Sequence, residues 1–300
     1  MISYNRDALQ TLQFQDQKIF SFVETASLNS DTQTVNSFGD EWEKFDTFEE
    51  QELKTAGDQY FDIVTPNMLG ANCEALDIGC GSGRWSRYLA PHVKHIEAID
   101  PSEAVKTAAA FTKDCRNVRV TQAGYGCIPF EKNSFDFVFS LGVVHHVPDT
   151  EGAIGEAAGM VKPGGHLLLY IYYSLDNRGV LYKLIFHASA LLRRMVSAMP
   201  RGLKFFTCDV LAVLLYLPFV GLSRFFRFLS PKGNFWKKIP LAYYADKTWR
   251  IIRNDSLDRF GTPLEKRFSK KEIETMLQKS GMRNIRFSEQ APYWHVIAQK

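Results

Sequence analysis

What this 300-residue sequence lacks narrows it first. Its five cysteines (Cys73, Cys80, Cys115, Cys127 and Cys208) form no C-x-x-C pair and have no histidines at matching spacing. A disulfide framework is therefore not expected, nor a zinc or other metal site, and a reducing cytoplasm fits. The opening stretch, MISYNRDALQ, holds no apolar run of the kind a secretory signal carries, so a cytoplasmic location is expected. The net charge of +3 is too small to suggest a general nucleic-acid binder. Internal repeats and low-complexity segments are absent. The uncharged run at 210–223, VLAVLLYLPFVGLS, stops at fourteen residues. A membrane-spanning helix takes ~20, and Pro218 is expected to interrupt this one.

What is present alternates. Residues 1–70 carry apolar side chains at helical spacing, such as Trp42, Phe45 and Phe48, and then Leu53, Ala56, Tyr60, Phe61 and Val64. Two or three helices are expected there, forming a cap on a sheet. From residue 74 apolar bursts alternate with helical stretches. Strands are expected at EALDIG (74–79), HIEAID (95–100), NVRVTQ (117–122), FDFVFS (135–140) and GHLLLYIYYS (165–174), the last launched by the turn KPGG. Helices fit between them at 84–90, 102–113 and 151–160. That order means a parallel sheet with helices on both faces, which binds ligands beyond the carboxyl ends of its strands. In the tail, Ser269 and Glu272 form a capping box. A helix with Ile273, Met276 and Leu277 on its apolar face follows, and Gly281 ends it. Two closely spaced strands, 284–289 and 293–299, then pair as an antiparallel hairpin.

The stretch ALDIGCGSGRWS (75–86) raises the question of a ligand. Glycines at 79, 81 and 83 let backbone N–H groups approach it closely. The dinucleotide fingerprint G-x-G-x-x-G fails, because its third glycine would fall at Arg84. Asp77, two residues before Gly79, is placed to attract a cation, whereas a pyrophosphate favours a helix start free of negative charge. Asp100 ends the second strand, twenty-three residues after Asp77, where a carboxylate can accept ribose hydroxyls. The two acids and the glycines describe a nucleoside with a positively charged tail.

These motifs resemble those of the class I S-adenosylmethionine-dependent methyltransferases. LDIGCGSGRW resembles the family's first motif and AIDPSEAV its second. IPFEKNSFDFVFSLGVVHHVPD resembles the block running into strand four, and VKPGG the turn before strand five. The resemblance covers residues 70–175 and, more loosely, 256–300. It implies a doubly wound, mostly parallel seven-stranded α/β sheet closed by a C-terminal antiparallel hairpin, with S-adenosylmethionine as cofactor. Asp77, Gly79 and Gly81 would then line the methionine portion, with Cys80 and Gly83 in the same loop. Asp100, followed by Pro101, would hold the ribose, and Ser140 and Leu141 would meet the methionine end through backbone. Many relatives carry an Asp after strand three for the adenine; this chain has Gly124 and Tyr125 there, so a backbone contact and stacking on Tyr125 are expected instead.

Methyl transfer to a hydroxyl benefits from a base. His145 and His146, in the loop after strand four, are the candidates, with hydrogen bonding that merely holds the loop as the competing reading. After strand five, Tyr173, Asp176, Asn177 and Arg178 offer polar groups to a substrate, unless Asp176-Asn177 is simply a surface turn.

Residues 178–240 hold eleven Lys or Arg and one acid, Asp209, among many Leu, Phe, Val and Tyr. This basic, apolar helical insertion reads as a lid, as a contact with an anionic membrane surface, or as a dimer interface. The expected organisation is an N-terminal helical cap (1–70), the cofactor-binding core (71–175), the insertion (176–255) and a C-terminal helix and hairpin completing the sheet (256–300). The expected activity is O-methylation of a small or lipid-linked metabolite, such as a glycan precursor. N- or C-methylation stays open, as does a non-catalytic, membrane-associated scaffold that binds the cofactor. A nicotinamide-dependent dehydrogenase is opposed by Arg84 and Asp77.

Overall fold

The computed structural model describes residues 1–15, 17–24, 28–44, 50–174, 180–231, 233–290 and 294–300. The chain divides into two compact units, one of residues 1–177 with 264–300 and one of residues 178–263.

The first unit is built on a nine-stranded sheet. In chain order its strands are β1 (Gln10–Phe14), β2 (Gln17–Ser21), β3 (Gly70–Ile78), β4 (Val93–Asp100), β5 (Val118–Gln122), β6 (Phe135–Leu141), β7 (Val161–Tyr170), β8 (Arg283–Phe287) and β9 (His295–Gln299). Across the sheet the order is β1-β2-β5-β4-β3-β6-β7-β9-β8. The five strands expected between residues 74 and 174 are β3 to β7, and every neighbouring pair among them is parallel. The tail strands β8 and β9 form the expected antiparallel hairpin, with β9 antiparallel to β7.

Two strands more than the expected seven come from the N-terminus. Residues 1–70 are not an all-helical cap: β1 and β2 form an antiparallel hairpin whose Ser21 pairs in parallel with Gln122 of β5. Leu12 and Phe14, with Ile19, do alternate with polar residues. The connection, however, carries none of the Asn-Gly or Asp-Gly chemistry that announces a tight hairpin, and Gln15 itself takes the left-handed conformation at φ 51°. The helices α1 (Thr32–Lys44) and α2 (Glu50–Tyr60) follow. Phe45 and Phe48 of the expected apolar stripe lie outside the described residues.

Helices α3 (Arg84–Leu89) and α4 (Ala104–Phe111) lie on one face of the sheet and α5 (Thr150–Met160) and α10 (Lys270–Lys279) on the other. Along β3, Leu76 and Ile78 enter one apolar cluster and Ala75 the other, so both faces of the central strands are buried. That is the condition that favours parallel strands. The sheet order reverses at β3, whose neighbours β4 and β6 lead away in opposite directions. A doubly wound sheet opens its ligand crevice at the carboxyl ends of the strands flanking such a switch.

The second unit is helical: α6 (Val180–Ser197), α7 (Arg201–Leu211), α8 (Leu217–Leu229) and α9 (Trp249–Gly261). A π-helical turn at Ala212–Tyr216 joins α7 to α8, making one helix of 29 residues, Arg201–Leu229. Pro218 therefore does not interrupt the apolar run. The wider π turn just before it, closed by the Leu217 N–H donating to the Ala212 carbonyl, makes room for the proline ring. Nor does the insertion end at 255: α9 runs through that position, and the unit closes at Pro263.

The capping box at α10 is formed, with the Ser269 hydroxyl accepting from the Glu272 N–H and the Glu272 carboxylate accepting from the Ser269 N–H. Ser269→Ala is expected to lower the unfolding free energy by about 1 kcal/mol, read from urea denaturation; an unchanged midpoint would show that the cap contributes nothing here.

Candidate active site

The loop after β3 is shaped by its glycines. Gly79, Gly81 and Gly83 all sit in the left-handed region, at φ 79°, 53° and 77°. At Gly79 a Cβ would also come within 2.5 Å of the Val143 side chain, so the position excludes any other residue twice over. Gly83 caps α3, with Ala108 and Thr112 of the next helix only 3.1 Å from where its Cβ would be.

Two carboxylates bracket this loop. Asp100, at the end of β4, accepts from the Gly81 N–H at 3.0 Å and from the Ser102 N–H and hydroxyl at 2.9 and 2.6 Å. It therefore ties the glycine loop to the next strand, a role beyond the ribose-holding one expected for it. One of its oxygen lone pairs remains for a ribose hydroxyl. Burial raises its pKa, and the bonds from Ser102 and Gly81 oppose that rise.

Asp77 is fully buried, and only one of its oxygens is used, accepting from the Ser86 hydroxyl at 2.7 Å. The other, Oδ1, has no hydrogen-bond partner among the described residues. Burial pushes this carboxyl up to about 7; the Ser86 bond pulls it down, Asp100 raises it and Arg84 lowers it. A buried carboxylate with an orphaned oxygen is a site waiting for a cation, and the donor set fits an ammonium or sulfonium group.

The remaining expected contacts divide. Gly124 packs on Pro101 beside Asp100, its would-be Cβ 3.1 Å from the proline ring. Cys80 is buried, and burial, first, and the two aspartates raise its thiol well above the usual range. Ser140 does not wait for a ligand with its side chain: its hydroxyl donates to the Ile78 carbonyl at 2.8 Å and accepts from the Tyr125 hydroxyl at 2.9 Å. Tyr125, expected as a stacking platform, has its hydroxyl taken by Ser140 and its ring in the core. Its ring is 4% exposed and belongs to the apolar cluster of Ile78 and Val144. Leu141 is buried at the end of β6.

His145 and His146 follow in a short 3-10 turn, Val144–His146. Residues after Pro263 brace it: the Lys266 N–H donates to the His145 carbonyl at 2.9 Å, and His146 Nδ1 lies 2.7 Å from the Leu264 carbonyl. A carbonyl only accepts, so Nδ1 carries the proton and the Nε2 lone pair is the basic site. His145 is different. It stacks on Tyr172, centroids 3.9 Å apart, and neither ring nitrogen has a hydrogen-bond partner among the described residues. Burial, then the neighbouring His146 and Arg267, holds its pKa well below the usual value. It stays neutral and is a poor proton acceptor.

Tyr173 is half-buried, its ring 6.0 Å from Trp294. Asp176, Asn177 and Arg178 lie outside the described residues. Sequence reasoning missed another buried imidazole, His295, which sits opposite Tyr170 in the β7–β9 register. Tyr60 of α2 and Tyr170 pack against it at 4.9 and 5.0 Å, and Tyr60 also meets Trp85 at 4.6 Å. Neither nitrogen of His295 has a hydrogen-bond partner among the described residues, and burial lowers it to about 4.

A family model described as a methyltransferase domain matches residues 76–169, the span from the glycine loop to the end of β7. That span is what this chain shares with methyltransferase domains. The S-adenosylmethionine implied by the resemblance would fit the cation-seeking acids described above. The methyltransferase domain is similar to the uncharacterized methyltransferase YcgJ of Bacillus subtilis, 32% identical over 114 residues, which are 36% of this chain and 45% of that one. It is also similar to a ubiquinone biosynthesis O-methyltransferase of Marinobacter nauticus, 32% identical over 106 residues, or 33% and 44% of the two chains. The solved structure of the Bacillus YcgJ protein superposes on 80% of this chain and 71% of its own, at 19% identity and a TM-score of 0.47. Other relatives carry the names phosphoethanolamine N-methyltransferase 2, from Caenorhabditis elegans, and tRNA U34 carboxymethyltransferase, from Nautilia profundicola. This chain spans less than half the length of the Bacillus and Marinobacter relatives.

Two tests follow from the acids. Since Asp77 ionises only near pH 7 without ligand, affinity for S-adenosylhomocysteine, whose ammonium it would meet, should rise by up to about tenfold per pH unit as pH rises toward 7, and level off above. The ligand-free protein should behave oppositely. A carboxyl raised above its unfolded value stabilises fully below about pH 4, and that contribution is lost as pH rises through about 7. Calorimetry and thermal unfolding from pH 5 to 8 check both, and Asp77→Asn should flatten both trends; trends that survive the substitution belong to another group. Asp100→Ala should weaken binding by ~1–3 kcal/mol or more, because the loop loses its tie as well as the ribose its acceptor.

Proposed function

We propose that the protein is an S-adenosylmethionine-dependent methyltransferase that methylates a hydroxyl of a small or lipid-linked acceptor. The observation that carries the reading is the pair of buried carboxylates, Asp77 with its orphaned oxygen and Asp100 on the Gly81 N–H, around a left-handed glycine loop at the switch point of the sheet. When bound, the cofactor supplies the methyl electrophile and its own leaving group. The chain has then to orient the acceptor, keep water out and take up one proton.

The choice of oxygen rests on His146. Its Nδ1–H is fixed on the Leu264 carbonyl, which holds the ring in one tautomer with Nε2 as the proton-accepting atom. Phe38 of α1 packs edge-on against the ring at 4.9 Å and steadies its plane. His145 serves as a neutral, stacked support for the turn. The half-buried Tyr173, at the carboxyl end of β7, is the polar group best placed to meet the acceptor. A relative named as an N-methyltransferase keeps N-methylation as the second reading, and a nitrogen acceptor that is already a free base needs no proton removed.

The first experiment is transfer of a labelled methyl group to panels of hydroxyl and amine acceptors, with and without a lipid carrier. Label appearing only on amines would overturn the oxygen reading, and cofactor binding without transfer to any panel would favour the scaffold. With an acceptor in hand, His146→Ala should lower kcat by ~10²–10⁴ while leaving cofactor affinity in place. A loss below tenfold would make His146 a positioning residue.

A further inference from the structure

The helix Arg201–Leu229 wears its polarity inside out. Its buried stripe is Lys204, Cys208, Ala212, Tyr216, Val220 and Ser223. Its exposed face carries Phe206 (66% exposed), Leu214 (65%) and Phe228 (82%), with Leu203, Leu222 and Phe225 between and beside them. A water-soluble helix does the reverse, turning its apolar stripe inward. Contiguous exposed apolar surface of this extent marks a contact with another molecule or a membrane.

The inner face is occupied by polar chemistry within the same unit. Asp209 receives a forked pair of bonds from Arg253 of α9, at 2.9 and 2.6 Å. The Tyr216 hydroxyl donates to Asp255 at 2.5 Å, and the Ser256 hydroxyl donates to the Cys208 carbonyl at 2.7 Å. This decides between two ways of meeting lipid. By length and composition the helix is apolar enough to cross a bilayer, with a mean hydropathy of 2.0 over its best 18 residues. Crossing would carry α9, with Arg250, Arg253, Asp255, Asp258 and Arg259, to membrane depth, which is costly for each charge. Lying in the surface plane buries only the outer face.

The charges around the apolar face choose the partner. Arg194 and Arg201 precede it, Arg224 lies near its carboxyl end, and Lys237 and Lys238 follow it, all exposed. Of the four acids in this unit, three are in ion pairs, Asp209 with Arg253, Asp246 with Arg227 and Asp255 with Arg259, and the fourth is Asp258 on α9. Exposed Phe235, Tyr243 and Trp249 add aromatic rings of the kind that settle at headgroup level. We propose that the outer face of helix Arg201–Leu229 is a docking surface for an anionic membrane, lying in the plane of one leaflet with its basic flanks on the headgroups. A second copy of the chain would cover the apolar face equally well but would set the basic flanks of the two copies close to one another.

The test uses the full-length protein and vesicles of phosphatidylcholine alone or with phosphatidylglycerol. Flotation at low salt should carry the protein with the anionic vesicles at least tenfold more strongly than with the neutral ones. At 1 M salt most of the difference should vanish, since the Debye length falls to ~3 Å. Phe206→Glu with Leu214→Glu and Phe228→Glu should abolish flotation; these side chains are exposed, so the fold should survive, as circular dichroism would show. Arg201→Gln with Lys237→Gln and Lys238→Gln should lower anionic binding about fivefold per residue while sparing the weak neutral binding. Three results would overturn the proposal. They are no flotation at low salt, flotation that the three glutamates leave intact, and protein that stays with vesicles through alkaline carbonate, which would mean a spanning helix. Sedimentation velocity on the same samples identifies a second copy as the occupant if a dimer forms that the three glutamates dissociate and no vesicle binding occurs.

Discussion

The hydrogen bond from the Gly81 N–H to the Asp100 carboxylate joins the two strands on which the candidate site depends. Asp100 closes β4 and its partner lies in the loop that follows β3, so one carboxylate sets the distance between the neighbouring strand ends. The Gly79 and Cys80 N–H groups reinforce the joint by donating to the Ile99 carbonyl at 2.7 and 2.9 Å. With the loop pinned on that side, left-handed glycines are the backbone solution that turns it and still leaves room for Val143. Asp77 is then left beneath the loop, buried, with one oxygen answered by Ser86 and the other unanswered. An unpaired buried carboxyl is costly, and its upward shift is the protein's response in the absence of a counter-charge. A cationic ligand therefore meets a site already biased toward it.

The core of this arrangement was legible in the sequence because it is local. β3 to β7, the glycine spacing and both acids lie between Gly70 and Tyr170, and each carries its signal in its own neighbourhood: apolar bursts, glycines after a strand, an acid at a strand's end. What stayed hidden depends on partners far along the chain. Nothing around Tyr125 says that its hydroxyl will be taken by Ser140, so it reads as a free ring when it is a core one. His295 looks like any polar residue in a short strand until β9 pairs with β7 and brings it to Tyr170 and to Tyr60. The N-terminal hairpin was hidden for a different reason. Its strands are short and its turn uses Gln15, so helical spacing further along the segment dominated the reading.

The two histidines show how adjacent identical residues are given different work by their surroundings. His146 has a carbonyl to donate to, and that single bond defines where a proton can be accepted. His145 has a ring to stack on and no hydrogen-bond partner, so burial decides its charge and keeps it neutral. The segment that provides the Leu264 carbonyl and the Lys266 N–H enters the first unit directly after Pro263, where the second unit ends. The chain thus returns from its insertion straight onto the turn that carries the candidate base, and a change in the path of residues 264–268 would be felt first at His146.

The second unit answers the same question of where to spend polar groups in the opposite way. In the sheet, apolar side chains from both faces are buried and the polar groups gather at one edge, where a ligand can satisfy them. In helix Arg201–Leu229 Asp209, Tyr216 and the Cys208 carbonyl are met internally by Arg253, Asp255 and Ser256, and most of the large apolar side chains are left outside. Helix propensity does not explain that choice, since Leu and Phe would serve as well on the inner face. Water alone does not favour it either, because each exposed Phe or Leu forgoes roughly 1.5–3 kcal/mol of burial. Such an arrangement is stable against its own inversion only when the buried polar pairs are well made, and functional only when something apolar waits outside. The forked Arg253–Asp209 pair meets the first condition, and a basic border around the apolar face points to an anionic surface for the second.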